Sequence, residues 1–256
     1  IMILATLGLT MAANLSVFTI IDSFIKRPLR VKNYKELVLI DAPLPGNRKL
    51  MFGGSIVGEG KTTHPSDYWF FKRLRDDTAA FQGISVYCRA QTMLTTNGIS
   101  MPVNGFLVSG NYFDLLGVKA VIGRALTTAD ELSVYDNGAV VVLSHGFWQR
   151  QYGGDPSVLN RTIYLDKQPM VVVGIIGPGF IGTETGFSAD FFMPISQNKK
   201  LTPPFAVAGF RYDAPGYDIY SIIARLASGI DLQNAEQETE KVYRRVIAAI
   251  PDAADL

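Results

Sequence analysis

The sequence predicts an α+β fold in two lobes, one of them discontinuous, preceded by a membrane-spanning helix. Three observations carry this reading. Residues Ile1 to Ile21 contain no charged side chain. From Leu29 onward, short apolar runs alternate with segments of helical period. A block at 119–212 has its own strands and its own aromatic helix, and separates an early set of elements from a final strand and helix. The expected organisation is a helix at 1–28, a first lobe from 29–118 with 213–256, and an inserted second α+β lobe at 119–212.

The opening run would span about 32 Å as a helix, enough for the hydrocarbon core of a bilayer. Gly8, Ala12, Ala13 and Ser16 recur at spacings of three and four, the small-residue face by which membrane helices pack on one another. A secretory signal would carry its basic residues before the apolar run, whereas Lys26 and Arg27 follow it here. Ile1 is not an initiator methionine, so the chain reads as a fragment cut within or near this helix. Taken alone, Lys26, Arg27, Arg30, Lys32 and Lys35 would place the rest of the chain in the cytoplasm, because cytoplasmic flanks are the basic ones.

Composition agrees with lipid contact. The 256 residues are 48% hydrophobic and 18% charged, against about 25% charged in an ordinary soluble domain. Lys plus Arg number 24 and Asp plus Glu 23, so no strong field recruits nucleic acid. Cys88 is the single cysteine, which excludes an internal disulfide and a multi-cysteine metal cluster.

The elements follow in order. Leu37 to Ile40 reads as a strand, then Pro43 to Gly60 as a Gly- and Pro-rich loop. Ser66 is placed to cap a helix with Tyr68, Phe71 and Leu74 on its inner face and Lys72, Arg73, Asp76 and Asp77 outside. Ile84 to Tyr87, Thr92 to Thr95 and Met101 to Val108 read as strands, the first two as a hairpin. Asn111 to Leu116 is a short helix that Gly117 ends. In the inserted block, Ala139 to Leu143 is a β-branched strand, and Ser144 caps a helix carrying Phe147, Trp148 and Tyr152 until Gly153 and Gly154 stop it. Thr162 to Leu165 and Met170 to Ile176 form a hairpin around Asp166 to Gln168, and Phe191 to Ile195 is a further strand. Leu201 to Gly216 is a return connection. Tyr220 to Leu226 is the last strand, and Asp231 opens a helix with Ala235, Val242, Val246 and Ile250 on one face.

Several motifs imitate chemistry. Ser55 to Thr62 reads S-I-V-G-E-G-K-T, one residue short of a phosphate loop, but Pro65 interrupts the helix such a loop must open. Gly177 to Gly182 matches G-x-G-x-x-G, yet the residues after it show no helical period, so a tight turn is the reading. His64 and His145 are the only histidines, and a metal site would need carboxylates from elsewhere. Ser144 beside His145 is cap and neighbour, since a nucleophile and its base are assembled in space. Tyr112, Phe113, Phe147, Trp148 and Tyr152 have core spacing rather than that of a ligand box. No catalytic, cofactor-binding or metal-ligating residue is assigned, no cofactor is implied, and the chain is read as not an enzyme.

The stretch V-V-V-L-S-H-G-F-W-Q-R-Q-Y-G-G-D-P-S-V-L-N-R-T-I-Y-L-D from Val140 to Asp166, with V-V-V-G-I-I-G-P-G-F from Val171, resembles the MacB-like periplasmic core domain of bacterial ABC transporter permeases. A-N-L-S-V-F-T-I-I-D-S-F-I-K-R-P-L from Ala13 is similar to that family's first transmembrane helix. P-S-D-Y-W-F-F-K-R-L from Pro65, S-G-N-Y-F-D-L-L-G-V from Ser109, I-G-R from Ile122 and A-R-L-A-S-G-I-D-L-Q-N-A from Ala224 fall in the family's order, with the duplicated, orphan type most similar. L-R-V-K-N after Pro28 departs from the family's usual L-P-Y.

The resemblance implies that the chain after about residue 29 is extracytoplasmic, anchored in the bacterial inner membrane, with a porter-like lobe interrupted by a second lobe. It implies a separate ABC ATPase subunit, a permease dimer, a periplasmic adaptor or other envelope protein as partner, lipid around residues 1–25, and no nucleic acid. Export or mechanotransmission driven by cytoplasmic ATP hydrolysis is the expected function. A scaffold that regulates a cell-wall enzyme, as in FtsX-like relatives, is the alternative, and a membrane-anchored hydrolase is the third reading.

Overall fold

The computed structural model describes residues 11, 31–41, 51–54, 66, 68–96, 98–132, 139–184, 186–200 and 220–248. The predicted membrane helix falls outside them except for Met11, as does the return connection at 201–216. Among the described residues no helix is long and apolar enough to cross a membrane.

One mixed sheet organises the chain. Its strands are β1 (Leu37–Asp41), β2 (Met51–Gly54), β3 (Phe81–Thr96), β4 (Ile99–Val108), β5 (Ala120–Gly123), β6 (Val140–Leu143), β7 (Thr162–Leu165), β8 (Gln168–Ile176), β9 (Phe191–Pro194) and β10 (Ser221–Leu226). They are ordered β2-β1-β10-β3-β4-β9-β6-β8-β5, and β7 pairs with both β3 and β8. The pairs β4 with β9 and β6 with β8 are parallel, and the rest are antiparallel. The path β3-β4-β9-β6-β8-β7 returns to β3 through Leu94 opposite Leu165, so six strands close into a ring. Closure leaves those strands no open edge along the ring. The other half, β2-β1-β10, extends from the first residues of β3 as an open sheet.

Strands β1, β6, β9 and β10 are buried on both faces, which is why they read as continuous apolar runs, whereas β7 and the second half of β3 alternate between buried and exposed positions and β5 between half-buried and exposed ones. On one face Val38 and Ile40 of β1, Ile222 and Ala224 of β10, and Val141 and Leu143 of β6 share a core with three helices. These are α1 (Tyr68–Asp77), which contributes Phe70, Phe71 and Leu74, α4 (His145–Tyr152) and α5 (Leu232–Ala248). The α1 and α5 helices meet through Phe70 and Tyr243, ring centroids 5.5 Å apart at 87°. On the other face Leu37, Leu39, Ile223, Val140, Val142 and Phe192 pack with α2 (Tyr112–Leu116) and Phe180. A short helix, α3 (Thr128–Leu132), follows β5.

Local signals place several elements where the residues predict them. Ser144 Oγ accepts from Phe147 N–H at 3.3 Å, and Gly153 ends α4 in the left-handed region at φ 61°. Asn111 precedes α2, and Gly117 terminates it at φ 67°. Asp166 and Lys167 turn the β7–β8 hairpin with φ of 47° and 64°, the mirror-image geometry that matches strand twist. Asp231 accepts from Asn234 N–H at 2.8 Å at the start of α5.

Other expectations are corrected. The loop predicted for Pro43 to Gly60 contains β2, whose Met-Phe-Gly-Gly sequence is poor in strand formers but lies along the open edge of β1. Ile84 to Tyr87 and Thr92 to Thr95 are not a hairpin but parts of the 16-residue β3. Cys88 to Gln91 offers no turn residue, and the strand runs on because β10 pairs its first half and β4 its second. Helix α1 begins at Tyr68, and the backbone of Ser66 bridges to Tyr220. Ile195 belongs to a 3-10 turn after β9, which ends at Pro194. Ile250 lies outside the described residues.

Candidate functional site

The most elaborate polar arrangement is buried where the chain enters the sheet. Strand β10 reads S-I-I-A-R-L, and Arg225 falls at the same parity as Ile223, so its side chain is directed to the α2 face. It is 8% exposed. A buried guanidinium is costly unless every donor is met, and here all five are. Nε and Nη2 donate to the Leu115 carbonyl at 3.3 and 2.8 Å. The second Nη2 hydrogen goes to the Lys32 carbonyl at 2.8 Å. Nη1 donates to the Asn33 carbonyl at 3.1 Å and to Glu36 Oε2 at 3.0 Å.

The local sequence supplies these acceptors. Because Gly117 closes α2 with bonds to Asp114 and Phe113, the Leu115 carbonyl is left for Arg225 and the Leu116 carbonyl for Lys32 N–H at 2.9 Å. Asn33 takes φ 46°, which turns its own carbonyl and that of Lys32 toward the arginine, and the 3-10 turn Tyr34–Glu36 sets Glu36 beside it. Asn33 Nδ2 holds the other oxygen of Glu36 at 3.1 Å. Reading of the sequence missed Arg225; the available signal was a cation at an inward position of an apolar strand.

A second junction lies at the mouth of a cleft of about 480 Å³ lined by Gly110, Asn111, Asp114, Lys119, Arg124 and Thr127 among others. Asp130 accepts from both Arg124 Nη atoms at 2.6 and 2.7 Å, and from Thr127 N–H and Oγ1 at 2.8 and 2.9 Å. The neighbouring Glu131 accepts from Gly110 N–H at 2.8 Å and from the Tyr68 hydroxyl at 2.9 Å, tying α3 to α1 and to the start of α2. These contacts fasten helices together; they do not array groups for bond making.

Burial by itself raises the Asp130 carboxyl, but the hydrogen bonds from Arg124 and Thr127 outweigh it and hold the group below its ordinary 3.8. The stabilisation is therefore complete above the ordinary carboxylate range and is lost as pH falls from about 4 through the lowered folded value. Asp130→Asn is expected to cost about 1–3 kcal/mol at neutral pH and to lose less on acidification than the parent. Thermal unfolding between about pH 5 and pH 2 checks this; parallel acid limbs for the two proteins would refute it.

Of the motifs singled out in the sequence, Gly177 to Gly182 meets Tyr112 and Phe113 through the Phe180 ring. Ser55 to Thr62 and His64 lie outside the described residues. Strand β2 ends at Gly54, immediately before Ser55, closer than the sequence reading allowed, while the next described helix begins only at Tyr68. Gly177 to Gly182 follows β8, and no helix occurs among the described residues before β9. Gly182 is there for packing: at φ 114°, an added Cβ would collide with the Phe106 ring. His145 stacks edge-on to Trp148 at 5.4 Å, and Ser144 is occupied as a cap. Tyr112 and Phe113 are fully buried, with Tyr112 Oη 3.0 Å from Thr183 Oγ1. Burial pushes the Tyr112 hydroxyl well above its ordinary range, so it stays a neutral hydrogen-bonding group.

The mixed α/β fold is similar to that of solved periplasmic and extracellular domains of ABC-type transporters. The periplasmic region of MacB from Actinobacillus actinomycetemcomitans aligns with a TM-score of 0.58 at 17% identity, covering 85% of this chain and 88% of that one. The extracellular domain of the noncanonic ABC-type transporter YknZ from Gram-positive bacteria aligns at 0.57 and 13%, covering 83% and 95%. No curated protein matches the sequence. The MacB-like periplasmic core domain family matches residues 1–242. The chain belongs to that family and is a periplasmic domain of a MacB-like ABC transporter permease, with an extracytoplasmic location. The family is one of transporter domains, not a class of enzymes.

Proposed function

We propose that the domain carries conformational change, driven by a separate cytoplasmic ABC ATPase, across the membrane to the envelope side for export or mechanotransmission. The observation that carries this reading is the family match from residue 1 to 242, which runs through the uncharged segment at 1–21 and the domain after it. In this reading residues 1–28 form the membrane helix in lipid, the chain is extracytoplasmic after about residue 29, and the permease is a dimer that meets a periplasmic adaptor or another envelope protein. The porter-like lobe comprises 29–118 and 213–256, and the inserted lobe 119–212. Supporting that division, β10 inserts between β1 and β3, and α5 lies on α1; the shared strands β3 and β4 carry the connection into the ring.

Topology gives a direct test. Ile99, 73% exposed at the β3–β4 turn, is a labelling position. Cys88 does not interfere: it is buried, and desolvation first, with the Glu184 charge second, pushes its thiol far above the ordinary range, so no reactive thiolate forms. Ile99→Cys in intact spheroplasts is expected to react with a membrane-impermeant maleimide. Protection until the membrane is lysed would reverse the topology, and failure of the full-length permease to co-purify with any ABC ATPase would remove the coupling.

A further inference from the structure

The segment 31–36 stands between the predicted membrane helix and β1; Val31 packs on the core of the α2 face, and the segment's hydrogen bonding to the rest of the domain is concentrated on one side chain. Among the described residues, its hydrogen bonds to other elements are those from Arg225 to Lys32, Asn33 and Glu36, and that from Lys32 N–H to the Leu116 carbonyl. Arg225 also grips the Leu115 carbonyl of α2. One planar group thus joins three pieces of chain distant in sequence: the entering segment, the end of α2 and the central strand β10.

We propose that Arg225 is the rivet that makes the entering segment and the sheet one rigid body, so that displacement arriving at residue 31 enters at β10 instead of peeling the segment and β1 away. The proposal rests on the reading of the domain as a transmitter of motion. Strand β10 is the right place for such an anchor, since it pairs β1 on one side and the long β3 on the other, and β3 runs from the open sheet into the closed ring. A lysine cannot substitute: its three donors on a flexible stem cannot reach carbonyls on both sides of the fork together with a carboxylate. Arg225 is a positioning residue in this scheme.

The test uses the full-length permease in vesicles with its ATPase, as the parent and as Arg225→Met and Arg225→Lys. Hydrogen exchange of the 31–36 amides is expected to be about tenfold faster in both variants, the loss of roughly one net charge-assisted hydrogen bond, with β3 and β4 amides unchanged. Nitroxides at the exposed positions Lys35 and Gln91 report the second arm. The parent is expected to give one narrow distance with and without ATP, and Arg225→Met a broad distance that changes with ATP. Unchanged exchange, or a narrow ATP-independent distance in Arg225→Met, would overturn the rivet. If Arg225→Met does not fold, Arg225→Lys decides on the same two readouts. A third readout isolates the underlying function: Gln91 in the parent should move relative to a lipid-anchored nickel relaxer when ATP is added. No such movement would end the transmission reading, and the exchange arm and the width of the distance without ATP would still judge Arg225.

Discussion

Gly174→Val is expected to destabilise the domain by at least about 3 kcal/mol, because at this position two backbones already touch. Gly174 lies in β8 opposite Val142 of β6, where the register shifts after Val141, and opposite Gly123 of β5, one pair beyond the shift between Ala120 and Ile122. A Cβ built on it would overlap the carbonyl oxygen, carbonyl carbon and amide nitrogen of Arg124. Relief by rotation is not available, since the obstacle is main chain, and moving Arg124 would break its N–H bond to the Val173 carbonyl at 2.9 Å and disturb its pairing with Asp130. Overpacking ordinarily costs about 1–3 kcal/mol and occasionally more; with backbone as the obstacle, a loss of at least about 3 kcal/mol is expected, near the top of that range. For a domain of this size that lowers Tm by about 6–12 °C. Calorimetry of the purified protein checks it, and a Tm within about 2 °C of the parent would show that the β5–β8 edge can give way.

Phe192→Ala should be comparably damaging for the opposite reason, a void. Phe192 is fully buried on β9, with ring centroids 5.1 Å from Phe113, 5.7 Å from Phe180, 6.1 Å from Phe106 and 6.3 Å from Tyr112. It therefore holds together β4, α2 and the segment after β8 at the parallel joint between β4 and β9. Truncating such a phenylalanine costs about 3–5 kcal/mol, while Phe192→Leu, which keeps most of the volume, should cost less than about 1.5 kcal/mol. Denaturant unfolding gives both values. Equal, small losses for Ala and Leu would mean that the aromatic cluster closes over the gap.

What could be read from the sequence is what short stretches encode. The start and end of α4 follow from Ser144 and Gly153, the end of α2 from Gly117, and the β7–β8 turn from Asp166 and Lys167, because each depends on hydrogen bonds and φ values within a few residues. Apolar runs announced β1, β6 and β10 for a related reason, both faces of each being covered. Where a strand exists only because a partner supplies its ladder, the signal was weak: β2 is poor in strand formers, β5 was not predicted, and β3 was split.

The sequence by itself determined the mixed strand-and-helix character, the caps, and the family, whose motifs recur along most of the chain. Only the tertiary structure decided that β4 takes β9 as a parallel neighbour through Gly105 and Phe191, that β7 closes the ring by reaching β3, and that Arg225 meets residues nearly two hundred positions earlier. Pairings of that span are set by which edges remain open and which buried donors remain unmet after the local elements form. No window of neighbouring residues contains that information, because both partners must first be folded to present it.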